Sequence, residues 1–170
     1  MAEQTPATES ADTQGEDQAQ QPIVINAQYT KDLSFEAPTA PGIFGIMQQK
    51  QPDIAINVNV GVNPFEDNVF EVILETSVRC TVGDDVGFVL ELEYAGLFTV
   101  NVEEENQGPM LLIECPRLLF PFARNIISEV TRDGGFPPLM LGPVDFVGMY
   151  KQRIEEFQQQ QDGETGSVDS

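Results

Sequence analysis

Histidine is absent from this 170-residue sequence, cysteine occurs only twice, and basic residues number only eight. Without histidine, neither a histidine-based catalytic triad nor a histidine-containing zinc site can be built. Eight Lys and Arg against 28 Asp and Glu give a formal net charge of -20. This balance argues against nucleic acid or an anionic membrane as a partner, because both require clustered basic side chains. It suits a basic partner, or solubility alone.

Two further absences concern targeting and redox state. The first 20 residues, MAEQTPATESADTQGEDQAQ, lack the basic start and the apolar core of a secretory signal peptide. No stretch of the chain approaches the roughly 20 apolar residues that a membrane-spanning helix requires. Cys80 and Cys115 are too few for a disulfide framework. The sequence therefore predicts a reduced, cytoplasmic protein in which both thiols are small buried apolar groups.

Composition divides the chain into three parts. Residues 1–21 and 158–170 are rich in Gln, Glu, Asp, Ser and Thr, and are predicted to be disordered acidic tails. Residues 22–157 carry the hydrophobic patterns of a single folded domain, which is long enough to bury a core.

Period-two alternation of apolar and polar residues predicts four strands in the folded part. The strands lie within residues 23–35, 54–62, 70–80 and 88–94. Successive regular alternation is typical of an antiparallel sheet with one covered and one solvated face. Continuous alternation through the first strand would put Tyr29, Leu33 and Phe35 on one face. Asp32 and Glu36 would then project from the opposite face.

The first predicted helix, over residues 109–135, is apolar on more than one side. Pro121 is expected to kink it, and the glycines at residues 134–135 should end it. A sheet covers only one side of a helix, so the other side is predicted to pack on a second subunit, with Leu119 and Ile126 as interface positions. The alternative is that the second helix shields it. The apolar residues are Met110, Leu111, Leu112, Ile113, Leu118, Leu119, Phe120, Phe122, Ile126, Ile127 and Val130.

The second helix is predicted over residues 145–161, with Asp145 as its N-cap and an apolar stripe that ends at Phe157. Four strands followed by two helices predict an α+β fold of two layers. The sheet would be four-stranded and antiparallel, with the two C-terminal helices packed on one face.

The link between the two helices, FPPLMLGPV at residues 136–144, is unusually apolar for a loop. Each large apolar side chain in it would contribute roughly 1.5–3 kcal/mol if buried. Such a loop either packs down as part of the structure or forms one wall of an apolar groove, and the sequence leaves both possibilities open. Methionine and several prolines suit a surface that accepts varied apolar partners.

Candidate catalytic groups are few. Asp32 and Glu36 would lie roughly 13 Å apart at about 3.3 Å per strand residue, beyond the usual glycosidase spacings. The acidic run at residues 103–105 is interpreted as a solvated loop, and no glycine-rich phosphate loop is present. The sequence therefore predicts a binding protein with no catalytic residues, metal or cofactor.

Four motifs follow one another along the folded part of the chain. They are YTKDLSFEAPTAP at residues 29–41, GFVLELEYAGLF at 87–98, CPRLLFPFAR at 115–124 and GGFPPLMLGPVDF at 134–146. Together they resemble the SecB family of cytoplasmic export chaperones of bacteria. The resemblance implies a homotetramer, built as a dimer of dimers, that binds unfolded precursor proteins without ATP and passes them to the motor protein SecA. The chain departs from the family in its longer acidic N-terminal segment and in IMQQKQPD at residues 46–53, next to the groove.

The resemblance also implies roles for particular residues. SecA would contact Asp32, Glu36 and Glu91, together with the apolar Val89. Glu93 is added because period-two alternation places it on the same face as Glu91. The implied client-binding residues are Ile54, Ile56 and Val58 in the second strand, Phe136, Leu139, Met140, Leu141 and Val144 in the linker, and Phe146 and Met149 in the second helix.

Two other functional classes are compatible with this fold. A SecB-like chaperone dedicated to one partner, such as a toxin, should have a weakened acidic strand motif, whereas that motif is intact here. A small-molecule enzyme on an α+β sandwich would need convergent polar groups within the apolar layer, and the sequence shows none.

Overall fold

A computed structural model describes residues 21–165, with side chains up to residue 161. The strands are β1 (Ile23–Glu36), β2 (Asp53–Glu66), β3 (Val69–Val82) and β4 (Asp85–Val100). They form one antiparallel sheet in the order β1-β4-β3-β2. The predicted four-stranded antiparallel sheet is therefore confirmed, and the edges of the sheet are β1 and β2.

Tight two-residue turns join β2 to β3 and β3 to β4. Each turn contains a residue in the left-handed region, Asn68 with φ 59° and Gly83 with φ 64°. Asn and Gly adopt this conformation at low cost, so the local sequence specifies both hairpins.

A helical layer covers one face of the sheet. Its segments are α1 (Gly42–Ile46), α2 (Glu104–Pro109), a π-helical turn (Met110–Glu114), α3 (Cys115–Asp133) and α4 (Phe146–Thr165). The short α1 was not predicted from the sequence. None of the helices between residues 21 and 165 combines the length and the apolar character needed to cross a membrane.

The first long helix differs from the prediction at its start. Helical structure begins at Glu104, and the irregular segment is the π-helical turn that precedes Pro116. Pro116 has no N–H to donate to the carbonyl four residues earlier, and that carbonyl lies within the widened turn. α3 then continues as one helix through Pro121 and ends at Gly134, as predicted.

Both ends of α4 bear on predictions from the sequence. Asp145 is confirmed as its N-cap, because its Oδ1 accepts a hydrogen bond of 3.0 Å from the Gly148 N–H. The predicted tail from Gln158 was placed too early, since the helix continues to Thr165. Gln and Glu have good helix propensity, so a polar segment here extends the helix. The predicted N-terminal tail falls outside the described residues except for Gln21.

The core lies between the inner face of the sheet and α3. The α3 side chains that face the sheet are Leu119, Ala123 and Ile127, all fully buried. Gly96 in β4 makes this packing possible, because a Cβ there would come within 2.9 Å of Leu119 Cδ2. The prediction that Leu119 lies at a subunit interface is wrong, since this residue belongs to the core of its own chain.

Candidate binding surfaces

The face of the sheet opposite the helices carries a concentration of carboxylates. The strand register pairs Asp32 with Glu93 across β1 and β4, and Glu93 with Glu75 across β4 and β3. Neighbouring strands are about 4.8 Å apart, so these three acids form one row across three strands. A hollow of about 290 Å³ lies here, lined by Asp32, Glu75, Glu91 and Glu93 together with Asn57 and Asn59.

The adjoining rows complete what we call the acidic face, namely Asp32, Glu36, Glu75, Arg79, Val89, Glu91 and Glu93. Glu91 pairs with Ser34 and Ser77, and Val89 pairs with Glu36 and Arg79. The fold thus brings together the four positions to which the resemblance assigned SecA contacts, Asp32, Glu36, Val89 and Glu91, with Glu93, which strand alternation added. The sequence did not indicate Glu75 or Arg79 as part of this face. Alternation gives the side on which they project, but it does not reveal that β4 lies between β1 and β3.

Two β-bulges in β1 change which side chains share a face. The register shifts between Ile25 and Ala27 and again between Thr30 and Asp32, so that Lys31 is the extra residue of the second bulge. An extra residue reverses the alternation that follows it. Continuous alternation through this strand was therefore a wrong prediction.

The second bulge determines where the side chains on either side of it point. Tyr29 lies on the outer face, where it hydrogen-bonds Glu71, whereas Phe35 packs in the core. The expected placement of Asp32 and Glu36 on the face opposite Phe35 is confirmed, since Asp32 pairs with Glu93 and Glu36 with Val89.

Glu71 on β3 holds this bulge in place. Its carboxylate accepts hydrogen bonds from Tyr29 Oη at 2.5 Å, from Lys31 Nζ at 2.8 and 2.9 Å, and from Asn63 Nδ2 at 3.1 Å. The hydrogen bonds from Lys31 and Tyr29 lower the pKa of Glu71 to about 2. Burial, followed by the adjacent Glu71, raises the pKa of Tyr29 to about 12. This cluster fixes Lys31, and through the bulge it directs Asp32 to the acidic face.

Replacing Glu71 with Gln is expected to lower the free energy of unfolding at pH 7 by roughly 1.5–3 kcal/mol, the usual range for hydrogen bonds to a charged group. The pKa of Glu71 is lowered from 4.5 to about 2 in the folded chain. The stabilisation is therefore complete above about pH 4.5 and is lost as the pH falls towards 2. Urea unfolding of wild type and Glu71→Gln between pH 7 and 3 should show that the gap between their free energies of unfolding narrows as the pH falls. Glu66→Gln, at an exposed carboxylate, is the control, and a gap for Glu71→Gln that stays constant with pH would contradict this account.

The inner face of edge strand β2 borders two hollows, the first lined mainly by apolar residues and the second by apolar and polar residues together. The first has a volume of about 160 Å³ and the second about 260 Å³. Ile54 lines the first hollow and Val58 the second. Ile56 lies between them on the same face and is 46% exposed. The three side chains form an apolar row roughly 13 Å long, at about 3.3 Å per residue.

Other elements supply the remaining walls. The first hollow is also lined by Met47, Pro52, Cys80, Phe88, Phe136, Pro137, Pro138 and Leu139. The second is lined by Val60, Leu112, Met149 and Tyr150, with a polar rim of Asn59, Gln152, Arg153 and Glu156. We call the row on β2 and these two hollows the client groove, after the role that the resemblance implies for residues of this region.

The linker between α3 and α4 packs down as part of the structure and also forms part of a groove wall, the two possibilities that the sequence left open. Phe136 and Leu141 are buried and anchor its two ends in the core. Between them, Leu139 is half-buried and lines the first hollow, and Met140 is 60% exposed. The linker is thus packed at both ends and presents apolar surface in the middle.

Some of the residues to which the resemblance assigned client contacts lie outside the two hollows. Leu141 and Phe146 are buried in the core, and Val144 is partly buried against it. Ile54, Phe136 and Leu139 meet in the first hollow, whereas Val58 and Met149 meet in the second.

The floor of the first hollow is aromatic. The ring of Phe136 lies 4.9 Å from that of Phe88, 5.2 Å from that of Phe44 and 6.2 Å from that of Phe35, measured between centroids. The sequence did not indicate Phe88 as a lining residue or Phe44 as a contact of Phe136, because their approach to Phe136 depends on how α1 and the linker pack.

Neither surface carries groups suited to covalent chemistry. Cys80 and Cys115 are free and buried, as predicted. Burial raises the pKa of both thiols, to about 12 for Cys115, so both remain protonated at neutral pH. Among the described residues, no group of three or more His, Cys, Asp or Glu side chains is arranged to hold a metal ion.

Comparisons with known proteins show the family of the chain. Residues 16–157 match the family model of SecB, the preprotein translocase subunit SecB. The protein-export protein SecB of Rhodopseudomonas palustris (strain HaA2) is 58% identical over 137 residues, which cover 80% of this chain and 86% of that protein. The protein of the same name from Paramagnetospirillum magneticum is 52% identical over 151 residues, which cover 89% of this chain and 96% of that protein.

A solved structure supports the fold. The SecB-like chaperone of Mycobacterium tuberculosis, in complex with an antitoxin peptide, superposes with a TM-score of 0.61 at 17% identity, over 72% of this chain and 91% of that chain. The family match spans the acidic face and the client groove, and the close relatives are aligned over most of their length. The chain therefore belongs to the SecB family of cytoplasmic protein-export chaperones, which are not enzymes.

Proposed function

We propose that this chaperone binds unfolded precursor polypeptides in the client groove and passes them, without ATP, to SecA docked on the acidic face. We further propose that it acts as a homotetramer, assembled as a dimer of dimers. The observation that carries this proposal is that the two surfaces lie on opposite faces of one sheet. A client and SecA can then be bound at the same time, which a transfer between them requires.

The shape of the client groove favours an unfolded chain over a folded one. Its exposed apolar row on β2 is narrow and extended, and it joins two hollows that are each large enough for a few side chains. Folded proteins bury most of their large apolar side chains, whereas an unfolded chain can present several of them at strand spacing. Contact that is mainly apolar is also tolerant of sequence, as an export chaperone with many clients requires.

Groove binding can be tested at Ile56, which is exposed in the free chain. Ile56→Asn is expected to weaken binding of an unfolded, reduced and alkylated test protein about tenfold, the equivalent of losing roughly 1.5 kcal/mol of apolar burial. Isothermal calorimetry should also show a negative heat-capacity change for wild type, the mark of apolar burial on binding.

The matched control is Asn57→Ser, one residue along β2 and on the opposite face of the sheet. Its affinity for the unfolded protein should equal that of wild type. Equal affinity of Ile56→Asn and wild type would refute the groove, and so would wild-type binding of the same test protein in its folded form.

A further inference from the structure

Thr131 lies in the last turn of α3 and is fully buried. Its hydroxyl donates to the carbonyl oxygens of Ile127 at 2.8 Å and Ser128 at 3.1 Å. The same oxygen accepts a hydrogen bond of 2.9 Å from the backbone N–H of Leu139 in the linker. One side-chain atom therefore connects α3 to the middle of the linker.

Two further contacts link the same turn of α3 to the linker. The carbonyl oxygen of Thr131 accepts a hydrogen bond of 3.1 Å from the Phe136 N–H. Ser128 Oγ donates to Met140 Sδ at 3.2 Å. The contact to Leu139 differs from these two, because Leu139 lines the first hollow of the client groove between the buried anchors Phe136 and Leu141.

Only a hydroxyl can donate to the helix and accept from the linker at this position. Valine has nearly the same shape as threonine, but it would leave the Leu139 N–H without an acceptor in a partly buried setting, which is costly. The Leu139 N–H could then hydrogen-bond to water only if the linker moved away from α3. Serine keeps the hydroxyl and lacks only a methyl group.

We propose that Thr131 is a positioning residue for client binding: its hydroxyl holds Leu139 over the aromatic floor before a client arrives. This proposal rests on the proposed function of the client groove. A wall that is already ordered spares the complex the entropy loss of fixing the linker, so affinity rises without an added contact. Thr131 itself is buried and does not touch the client.

The test compares Thr131→Val with Thr131→Ser in the full-length assembly, using the unfolded, reduced and alkylated test protein as the probe. The valine variant should bind the probe roughly 5- to 150-fold more weakly, the range set by one unpaired buried N–H. The serine variant should stay within about twofold of wild type, and both variants should bind SecA as wild type does. Hydrogen exchange at the Leu139 amide should be slow in wild type and in the serine variant, and faster in the valine variant.

The possible failures can be told apart. Absence of probe binding by wild type would refute the client groove itself. Wild-type affinity in a folded valine variant with fast Leu139 exchange would overturn the role of Thr131 while leaving the groove intact. A further measurement needs no variant: if the Leu139 amide of free wild type exchanges as fast as that of an unstructured peptide, the linker is not held in advance and the proposal is overturned.

Discussion

Reversing the charge at Asp32 and Glu91 together is expected to abolish SecA binding while leaving the fold and client affinity unchanged. The acidic face carries five carboxylates, Asp32, Glu36, Glu75, Glu91 and Glu93, and one guanidinium, Arg79, for a net charge of -4. Two substitutions to lysine add four units of positive charge and bring the net charge of the acidic face to zero. The net charge of the whole chain changes only from -20 to -16. Electrostatic complementarity with a basic partner would then be lost.

The competing explanation is that these acids only keep the protein soluble. It predicts that two reversals in so acidic a chain have little effect on any partner. Both side chains are exposed, so they contribute little to folding, and the melting temperature and the mass of the assembly should not change. The two explanations therefore differ only in SecA binding.

The decisive measurement is SecA affinity across a salt series. Wild-type affinity should fall as salt rises, because charges more than about 8–10 Å apart are largely screened at physiological ionic strength. The double variant should bind at least about 100-fold more weakly at low salt, since close charge pairs at an interface couple by more than about 1.5 kcal/mol each.

A matched control carries the same change of charge away from the acidic face. Glu103 and Glu105 are exposed near the junction of β4 and the helical layer, and their double replacement with lysine also gives -16. This control should retain SecA binding. An equal loss in both double variants would show that net charge alone matters, and unchanged affinity of Asp32→Lys/Glu91→Lys at low salt would refute docking at this face.

Features with a local physical cause were predictable from the sequence. Alternation located all four strands, because apolar and polar residues alternate along most of each strand. Asp145 was identifiable as a cap because its side chain satisfies an N–H of the first turn of the helix that follows. The end of α3 at Gly134 likewise followed from the residue type.

The composition of the acidic face depended on non-local pairing. Glu75 joins Asp32 and Glu93 only because β4 lies between β1 and β3, an order that alternation does not encode. The bulge at Lys31 has no compositional signature, since one extra residue in a strand leaves the types of its neighbours unchanged. Its stabilising partner, Glu71, is 40 residues away in the sequence.

The orientation of α3 could not be predicted, because the π-helical turn changes the phase of the helix. A turn with one extra residue rotates all later side chains by about 100° relative to a regular helix. The apolar residues before and after this turn therefore do not share one helical wheel. Within α3, Leu119 faces the sheet and is a core residue.

Replacing Phe122 with Asp is expected to split the proposed tetramer without unfolding the subunit. Leu118, Phe122 and Ile126 recur every four residues along α3 and so form one stripe. Phe122 is 50% exposed, and its ring stacks on Tyr94 at a centroid distance of 6.0 Å. An aromatic side chain held in this position and half open to solvent is suited to contact with a second copy of the chain. A carboxylate buried there without a partner would cost several kcal/mol.

Light scattering at micromolar concentration measures this directly. Wild type should have about four times the chain mass of 18.7 kDa, and Phe122→Asp should have a smaller mass with an unchanged far-ultraviolet circular dichroism spectrum. Arg117→Asp, on an exposed part of the same helix, should remain tetrameric. Leu119→Asp should instead unfold the subunit, because it puts a charge in the core. A monomeric wild type would exclude the tetramer. A Phe122→Asp variant that keeps the full mass would show that the interface lies on another face of the chain.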